Sequence, residues 1–550
     1  SYRKRYVETF LNKVHVVWEP IEKDEDHIDV FTRINGGSIP LTDSELIKAL
    51  FLDKSKYSDD VLMAEAHQLE IASYWEKIEN TLQNDEFWLF ICNKSYSDKM
   101  EPGSTRIDYF LEIITNGNSL NLDDDSYEVF KEKNDKGNEG KYYKDEHKIF
   151  RYFDKKFERI HNSRELMECW KKIKDIYQIL VDWYQDCKLF HYIGYLILIN
   201  DNKAIDVIGD LLREYQKTNK DEFVRYVHRQ ISKVIASKKW LFDETTKEFN
   251  WNYEYEETVD DNGEVKNQKN KRECIEILLL HNIETIVRQN DYLVNDKRYN
   301  LPNFTKFELH LYKKNSWEVE HIRPNAGDKL DTVDAKQLYI KTALPYLRNF
   351  TDYKEITTNS NISEAEKKKK LKAIDDKNQN KLYELIYEYL QKKSDKIKNK
   401  GNDEDFNVIK DLMDGEFYGD STQQLGEEDK NKIWNYTLLD KIDNIEYGNM
   451  IYPVKRVFLS YKEQGIKIKA NKLAELMLGK TTFDNLMNNN EVEKIISFIP
   501  PITKNVFAKT FTKCPHNMTS WTREDADAYL TNIEYVLHDF IKEAKDIYIS

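Results

Sequence analysis

Apolar residues recur at three- and four-residue intervals along most of this chain, the period of a helix that buries one face. In "YRKRYVETFLNKVHVVW", Tyr6, Phe10, Val14 and Val17 fall near that spacing. Further helices are predicted over about 58–82, 105–115, 164–185, 203–217, 220–237 and 271–290. Thr42 followed by Glu45 is a capping box, which predicts a helix from about Asp43 with Leu46, Ala49 and Leu50 on its apolar face. Before it, Asn35-Gly36-Gly37 is a turn signal, because glycine reaches positive φ cheaply. "LFHYIGYLILIN" (189–200) is apolar on all sides, yet well short of the ~20 residues that cross a bilayer. It reads as a buried helix. Near the end, Thr522 and Asp525 open a helix with Tyr529, Ile533, Val536, Leu537, Phe540 and Ile541 on one face. Pro500-Pro501 separates it from what precedes, and no repeat period is visible. The fold class is mainly α.

Five stretches stand out from the rest. "SWEVEHIRPNAG" (316–327) and "WNYTLLD" (434–440) read as short strands. Residues 116–146 and 256–271 are polar and rich in turn formers, and read as joints or surface excursions. Residues 363–400 carry "EKKKKLK" and "QKKSDKIKNK" around a Leu/Ile/Tyr stripe. Two readings fit them: a solvated amphipathic helix, or a basic helix lying along a phosphate backbone.

At 550 residues the chain exceeds what one core can organise, so three or four domains are expected. Its net charge of −14 argues against a non-specific nucleic-acid coat protein. It leaves room for a local basic groove, since affinity depends on the Lys and Arg that meet phosphates. The five cysteines are scattered and form no C-x-x-C pair, which points to a reducing cytoplasm and away from a structural zinc site. No signal peptide, lipidation motif or membrane span is apparent, so no membrane partner is expected.

The candidate chemistry lies in the two strands. Glu320 directly precedes His321 where the first strand runs into Pro324. The second holds Asn435, then a polar turn with Asn444, then a helix from about Asn449 or Met450, with Pro453 in its first turn and Gly465 as its stop. Strand, loop, strand, turn, helix is the layout of a ββα-metal nuclease. One divalent ion, Mg2+ or Mn2+, would be held by the hard oxygens of Glu320 and Asn444. His321 would be the general base, since a histidine ordinarily titrates near neutrality. Asn435 would orient the imidazole, and the metal would polarise the scissile phosphate. Lys455 and Arg456 sit early in the helix, where cations oppose the macrodipole. An anion such as DNA phosphate placed there would resolve that conflict. For Arg456 the plainer reading is a side chain in water.

"RYNLPNFTKFELHLYKKNSWEVEHIRP" (298–324) followed by "NYTLLDKIDNIEYGNMIYPVKR" (435–456) resembles the C-terminal HNH nuclease domain of GmrSD-like proteins, the type IV, modification-dependent restriction enzymes of bacteria. The shared pattern falls on Trp317, Glu320-His321-Ile322, Asn435, Asn444, Asn449 and Lys455. "VFTRINGGSIPLTDSELIKALFL" is similar to a segment of the family's other half, and "TRIDYFLEII" (105–114) also fits that half. The resemblance implies a DNA endonuclease of antiviral defence acting on foreign DNA, often phage DNA with modified cytosines. It gives His321, Asn435 and Lys455 catalytic roles and makes Glu320 and Asn444 metal ligands. Asn449 and Arg456 become DNA- or phosphate-binding residues, and Arg33 and Asn35 ligand-sensing candidates. The plain reading of that last pair is a turn residue and an ion-pairing arginine.

The resulting organisation is a multi-domain helical protein with an embedded ββα-metal (HNH) motif. Residues 1–115 form the C-terminal portion of a GmrS-like domain, and 116–297 a helical linker or middle domain. The nuclease domain covers 298–470 with a long charged helical insertion at 328–430, and 471–550 is a C-terminal helical subdomain. The family's D-G-Q-Q-R motif, tied to nucleotide hydrolysis, is missing upstream of residue 30. No nucleotide site is assigned, and a nucleotide-binding part or partner subunit outside this chain is expected. The W-T-x-E segment, "SWTREDADAYLTNI", lacks the family's final Arg. Two rivals remain: a helical sensor or scaffold subunit of a defence system with an inactive nuclease motif, and a zinc peptidase, for which H-E-x-x-H is missing. Residue chemistry alone reaches as far as a metal-dependent phosphodiesterase.

Overall fold

The computed structural model describes residues 11–12, 41–57, 61–98, 100, 105–115, 147–200, 203–243, 245–247, 249, 251, 268–295, 304–324, 330, 332–374, 381–392, 403–418, 425–426, 429–515 and 517–549. Most of them are helical, and the strands that occur pair into two short two-stranded sheets. Among the described residues no helix is long and apolar enough to cross a membrane. The predicted first helix over Tyr6–Val17, the Asn35–Gly37 turn, Arg33, residues 116–146 and residues 256–267 lie outside the described residues, Leu11 and Asn12 excepted.

Two compact units make up the chain. One holds residues 1–83 and 98–175, and the other 84–97 and 176–550. The division is coarser than the four segments read from the sequence, and residues 84–97 cross into the second unit.

In the first unit the predicted capping box is formed in both directions, and the helix it opens is Asp43–Leu52. Helices Val61–Gln83, Arg106–Thr115 and Lys148–Glu158 join it. Phe51 meets Phe153, Phe157 and Trp170 edge-on, and Trp75 stacks on Trp170 at 6.1 Å. Asp43, at the start of its helix, accepts from Phe150 N and bonds His147 Nδ1 at 2.7 Å, which ties the capped end to the helix at 148–158.

The second unit is built around helix Cys187–Ile199, buried from Leu189 to Ile197 as its uniformly apolar sequence requires. Helix Gln268–Asn295 packs on it, and helix Arg523–Ile549 runs along Lys220–Ala236. The last helix buries Tyr529, Ile533, Val536, Leu537 and Phe540, while Ile541 of the expected face is half-buried. Pro500-Pro501 does more than separate helices. Pro501 opens a helix of its own, Pro501–Ala508, with Pro500 as N-cap, because a proline at the first position loses no intrahelical bond. The first sheet lies on helix Gln268–Asn295. Thr503 Oγ1 bonds Thr437 Oγ1 at 2.9 Å and donates to Leu438 O, and Tyr529 OH donates to Tyr436 O.

Between the strands of that sheet the chain runs through helices Val333–Ala343, Phe350–Thr358, Glu364–Ile374, Leu382–Leu390 and Glu404–Tyr418. These bury Leu371, Ile386, Tyr389, Phe406, Ile409 and Met413, so the charged insertion has an apolar interior of its own. The Lys-rich helix at 364–374 pairs Lys367 with Glu364, Lys368 with Glu388 and Lys370 with Glu366.

The approach to the first sheet depends on a neutral histidine. His191, fully buried, donates from Nδ1 to Cys187 O at 2.7 Å and accepts at Nε2 from Phe307 N at 3.0 Å. Burial pulls its pKa down to about 4, from an ordinary value near 6.5. The unfolded chain therefore takes up a proton near pH 6.5 that the native imidazole refuses. Stability from this site is complete above that pH and is lost as pH falls toward 4. Between pH 7 and pH 4 the loss should reach up to about 3 kcal/mol. Urea unfolding at several pH values should show His191→Gln with a flatter acid limb than the unaltered protein; equal slopes would refute the assignment.

Candidate functional site

Strand β1, Trp317–His321, pairs antiparallel with β2, Tyr436–Asp440, setting Glu320 opposite Thr437 and His321 opposite Tyr436. The start of β1 is fixed by Trp317, whose ring stacks on Tyr312 at 4.7 Å while its Nε1 donates to Tyr312 O. Pleating turns neighbouring side chains to opposite faces. This explains why an acid and an imidazole can adjoin in sequence. Glu320 goes inward, 2% exposed, and His321 stays half-buried.

Inside, Glu320 Oε1 forms an ion pair with Lys455 Nζ, which also donates to His321 O at 2.7 Å. Both side chains are almost wholly removed from water. Burial pulls the Lys455 ammonium below its ordinary pKa, opposed by the Glu320 carboxylate through charge and hydrogen bond. Lys455 lies on helix Tyr452–Glu463, which starts a few residues later than the sequence suggests and carries Pro453 in its first turn. Gly465, at φ +72°, follows its end.

Asn444 is on a short helix, Lys441–Tyr447, rather than in the turn expected for it, because Asp440 caps the segment by accepting from Ile442 N. The chain turns after that helix at Gly448. A Cβ there would collide with Asn444 Oδ1 and the Asn444 carbonyl and lie 3.1 Å from Glu320 Oε2. Gly448 has φ −57°, a conformation open to any residue, so what the position needs is space. The second oxygen of Glu320 and the amide oxygen of Asn444 thus both face the side of Gly448 that a side chain would occupy. One carboxylate and one amide oxygen are donors that suit Mg2+ or Mn2+ better than zinc. Among the described residues there is no group of three or more His, Cys, Asp or Glu placed to hold a metal.

The imidazole is held differently from the expectation. His321 Nε2 bonds Asn431 Oδ1 at 3.0 Å, and its ring meets Tyr436 edge-on at 4.9 Å. Asn435, fully buried, ends a 3₁₀ turn just before β2 and spends its side chain on main-chain groups. Its Oδ1 accepts from Arg323 N, and its Nδ2 donates to Arg323 O and Lys430 O. It therefore clamps the loop after His321 to the turn at 429–432. Arg523 holds the same turn through Asp429. Asn435 acts on His321 only through the backbone, and Asn431 was not singled out in the sequence.

Lys455 meets its anion inside the protein, since Glu320 fills the role assigned to a phosphate. Arg456 donates to Met518 O at 3.1 Å. Asn449 is half-buried in the turn before helix Tyr452–Glu463. Arg33 and Asn35 lie outside the described residues. Gly448 also escaped sequence reasoning. Its position one turn after Asn444 was the only available signal.

Comparison of the chain with protein-family models, curated proteins and solved structures found no match in any of the three.

The ion pair makes a direct prediction. Lys455→Met alone strands a buried carboxylate and should cost about 3–5 kcal/mol in guanidinium unfolding. Adding Glu320→Gln should recover most of that loss. Simple addition of the two single effects would show that the side chains are not coupled.

Proposed function

We propose that this chain is a metal-dependent phosphodiesterase of the ββα-metal (HNH) type that cleaves DNA. The observation that carries the proposal is that Glu320 Oε2 and Asn444 Oδ1 converge on Gly448, with His321 the next residue of the strand after Glu320. The elements follow in the order strand, strand, short helix, helix, and Lys455 of the resembled pattern pairs with Glu320. Action on foreign, base-modified DNA in antiviral defence comes from the resemblance alone.

Each residue has a task in this reading. Asn431 accepts from His321 Nε2–H; in that tautomer the lone pair sits on Nδ1, the atom that would take a proton from the attacking water. Glu320 and Asn444 would hold one divalent cation, whose contribution when bound is to polarise the scissile phosphate and stabilise the departing oxygen. Lys455 neutralises one Glu320 oxygen and keeps the carboxylate fixed. That ammonium also weakens the attraction for a cation, so two protein oxygens make a low-affinity site that substrate phosphate completes.

The same ion pair favours the rival reading, in which Glu320 is structural and the chain is a defence-system scaffold. Plasmid nicking with Mg2+ or Mn2+ decides between them. His321→Ala should lower the rate by about 10²–10⁴-fold. Equal rates for variant and unaltered protein would end the catalytic assignment. Asn431 has its own signature. Asn431→Leu should lower kcat by about 10–100-fold with little change in KM, while Asn431→Asp, which keeps an acceptor, should retain most activity. A loss confined to KM would place Asn431 in binding instead.

A further inference from the structure

Directly after the helix that carries Lys455, the chain forms a small closed module that the nuclease reading does not use. Strand β3, Ile466–Ile468, pairs with β4, Val492–Lys494, and between them lie helices Ala470–Met477 and Phe483–Asn488. The first helix ends in a Schellman motif. Gly479 N donates to Leu476 O, Lys480 N donates to Glu475 O, and Gly479 stands at φ +68°. Thr482 then caps the second helix by accepting from Asn485 N. That helix ends the same way, with Asn490 at φ +56°, Asn490 N donating to Met487 O and Glu491 N to Leu486 O. Two short helices joined by a tight glycine turn are the frame of a helix-turn-helix.

The second helix is held from one side only. Leu486 is fully buried, and Phe483 stacks on Tyr461 of helix Tyr452–Glu463 at 5.6 Å. Its other side exposes Asp484, Asn485, Asn488 and the following Asn489. Asparagine amides pair in bidentate fashion with adenine in the major groove, and an aspartate accepts from cytosine N4. No phosphate partner is available on that face, where Asp484 would repel one.

Phosphate-type charge complementarity lies beside it. A Cβ on Gly479 would sit 2.6 Å from Lys354 Nζ, so this ammonium from helix Phe350–Thr358 lies against the turn. Helix Val333–Ala343 packs on helix Ala470–Met477 and brings Lys341 close to Lys480. Burial and the charge of Lys480 both hold the Lys341 ammonium below its ordinary pKa, with Asp334 and Glu475 opposing. Among the described residues Lys341, Lys354 and Lys480 form no ion pair, whereas Lys367, Lys368 and Lys370 of helix Glu364–Ile374 do. Three ammonium groups without an ion pair among the described residues thus surround one turn in a chain of net charge −14.

We propose that residues 465–495 form a helix-turn-helix that seats this chain on duplex B-form DNA, with Asn485 and Asn488 in the major groove and Lys341, Lys354 and Lys480 along the adjacent phosphates. The wide major groove of B-DNA admits a helix, whereas that of A-form RNA is too narrow for side chains to read. This assignment goes beyond the phosphodiesterase reading and does not require it.

Fluorescence anisotropy of the intact protein with a 25-base-pair DNA duplex in EDTA tests it, because chelation removes catalysis from the readout. Lys354→Glu with Lys480→Glu, both exposed side chains, should weaken binding at least tenfold and reduce the slope of log Kd against log salt by about 2. The thermal midpoint should not move. Asn485→Ala with Asn488→Ala should weaken binding further while leaving the salt slope unchanged. Unchanged affinity in the lysine pair would overturn the proposal, as would an equal loss from Lys369→Glu with Lys372→Glu on the rival basic helix. Equal affinity for an RNA duplex of the same length would also overturn it. His321→Ala should bind like the unaltered protein, so failure of the catalytic reading leaves this one standing.

Discussion

The buried ion pair between Glu320 and Lys455 is the constraint from which the rest of the site follows. Two charges taken out of water cost several kcal/mol each unless they meet in good geometry. That requirement locks helix Tyr452–Glu463 to β1. Because the same ammonium also binds the carbonyl of His321, the lock fixes backbone as well as side chain. Glu320 then has Oε1 on Lys455 and Oε2 near Gly448. Asn444 reaches Gly448 from a short helix that Asp440, the last residue of β2, caps.

Helical periodicity made most of the fold legible. The capping box at Thr42 and Glu45, the all-apolar helix at 187–199 and the face running from Tyr529 to Phe540 are local patterns that tertiary packing reinforces. The two strands were legible too, from their short aromatic and aliphatic runs. Helix starts near Asn444 and Tyr452 were less so. There the outcome depends on which residue supplies a cap, and Asp440 competes with the turn formers downstream. Pro501 shows the same ambiguity, since a proline can end one helix or begin the next.

In the candidate site, the contacts of the residues singled out were not legible. Lys455 meets Glu320 and Asn444 lies near it at Gly448, while the His321 side chain turns to the other face of the strand. What each one touches depends on contacts between segments more than a hundred positions apart. Asn435 turned out to clamp backbone, and Asn431, carried on the returning end of the insertion, holds the imidazole. Cations early in a helix signal a missing anion, but they do not say whether it is a ligand or a side chain. Here it is Glu320. The helical insertion therefore has a structural consequence for the site, because its last turn delivers the group that orients His321.

The central claim is that Glu320 and Asn444 together make a place for one hard cation. Anomalous scattering from crystals of the protein bound to duplex DNA in Mn2+ tests it most directly. The account expects a single peak about 2.1 Å from both Glu320 Oε2 and Asn444 Oδ1, lost in Glu320→Gln. A peak elsewhere, or one that persists in that variant, would contradict it.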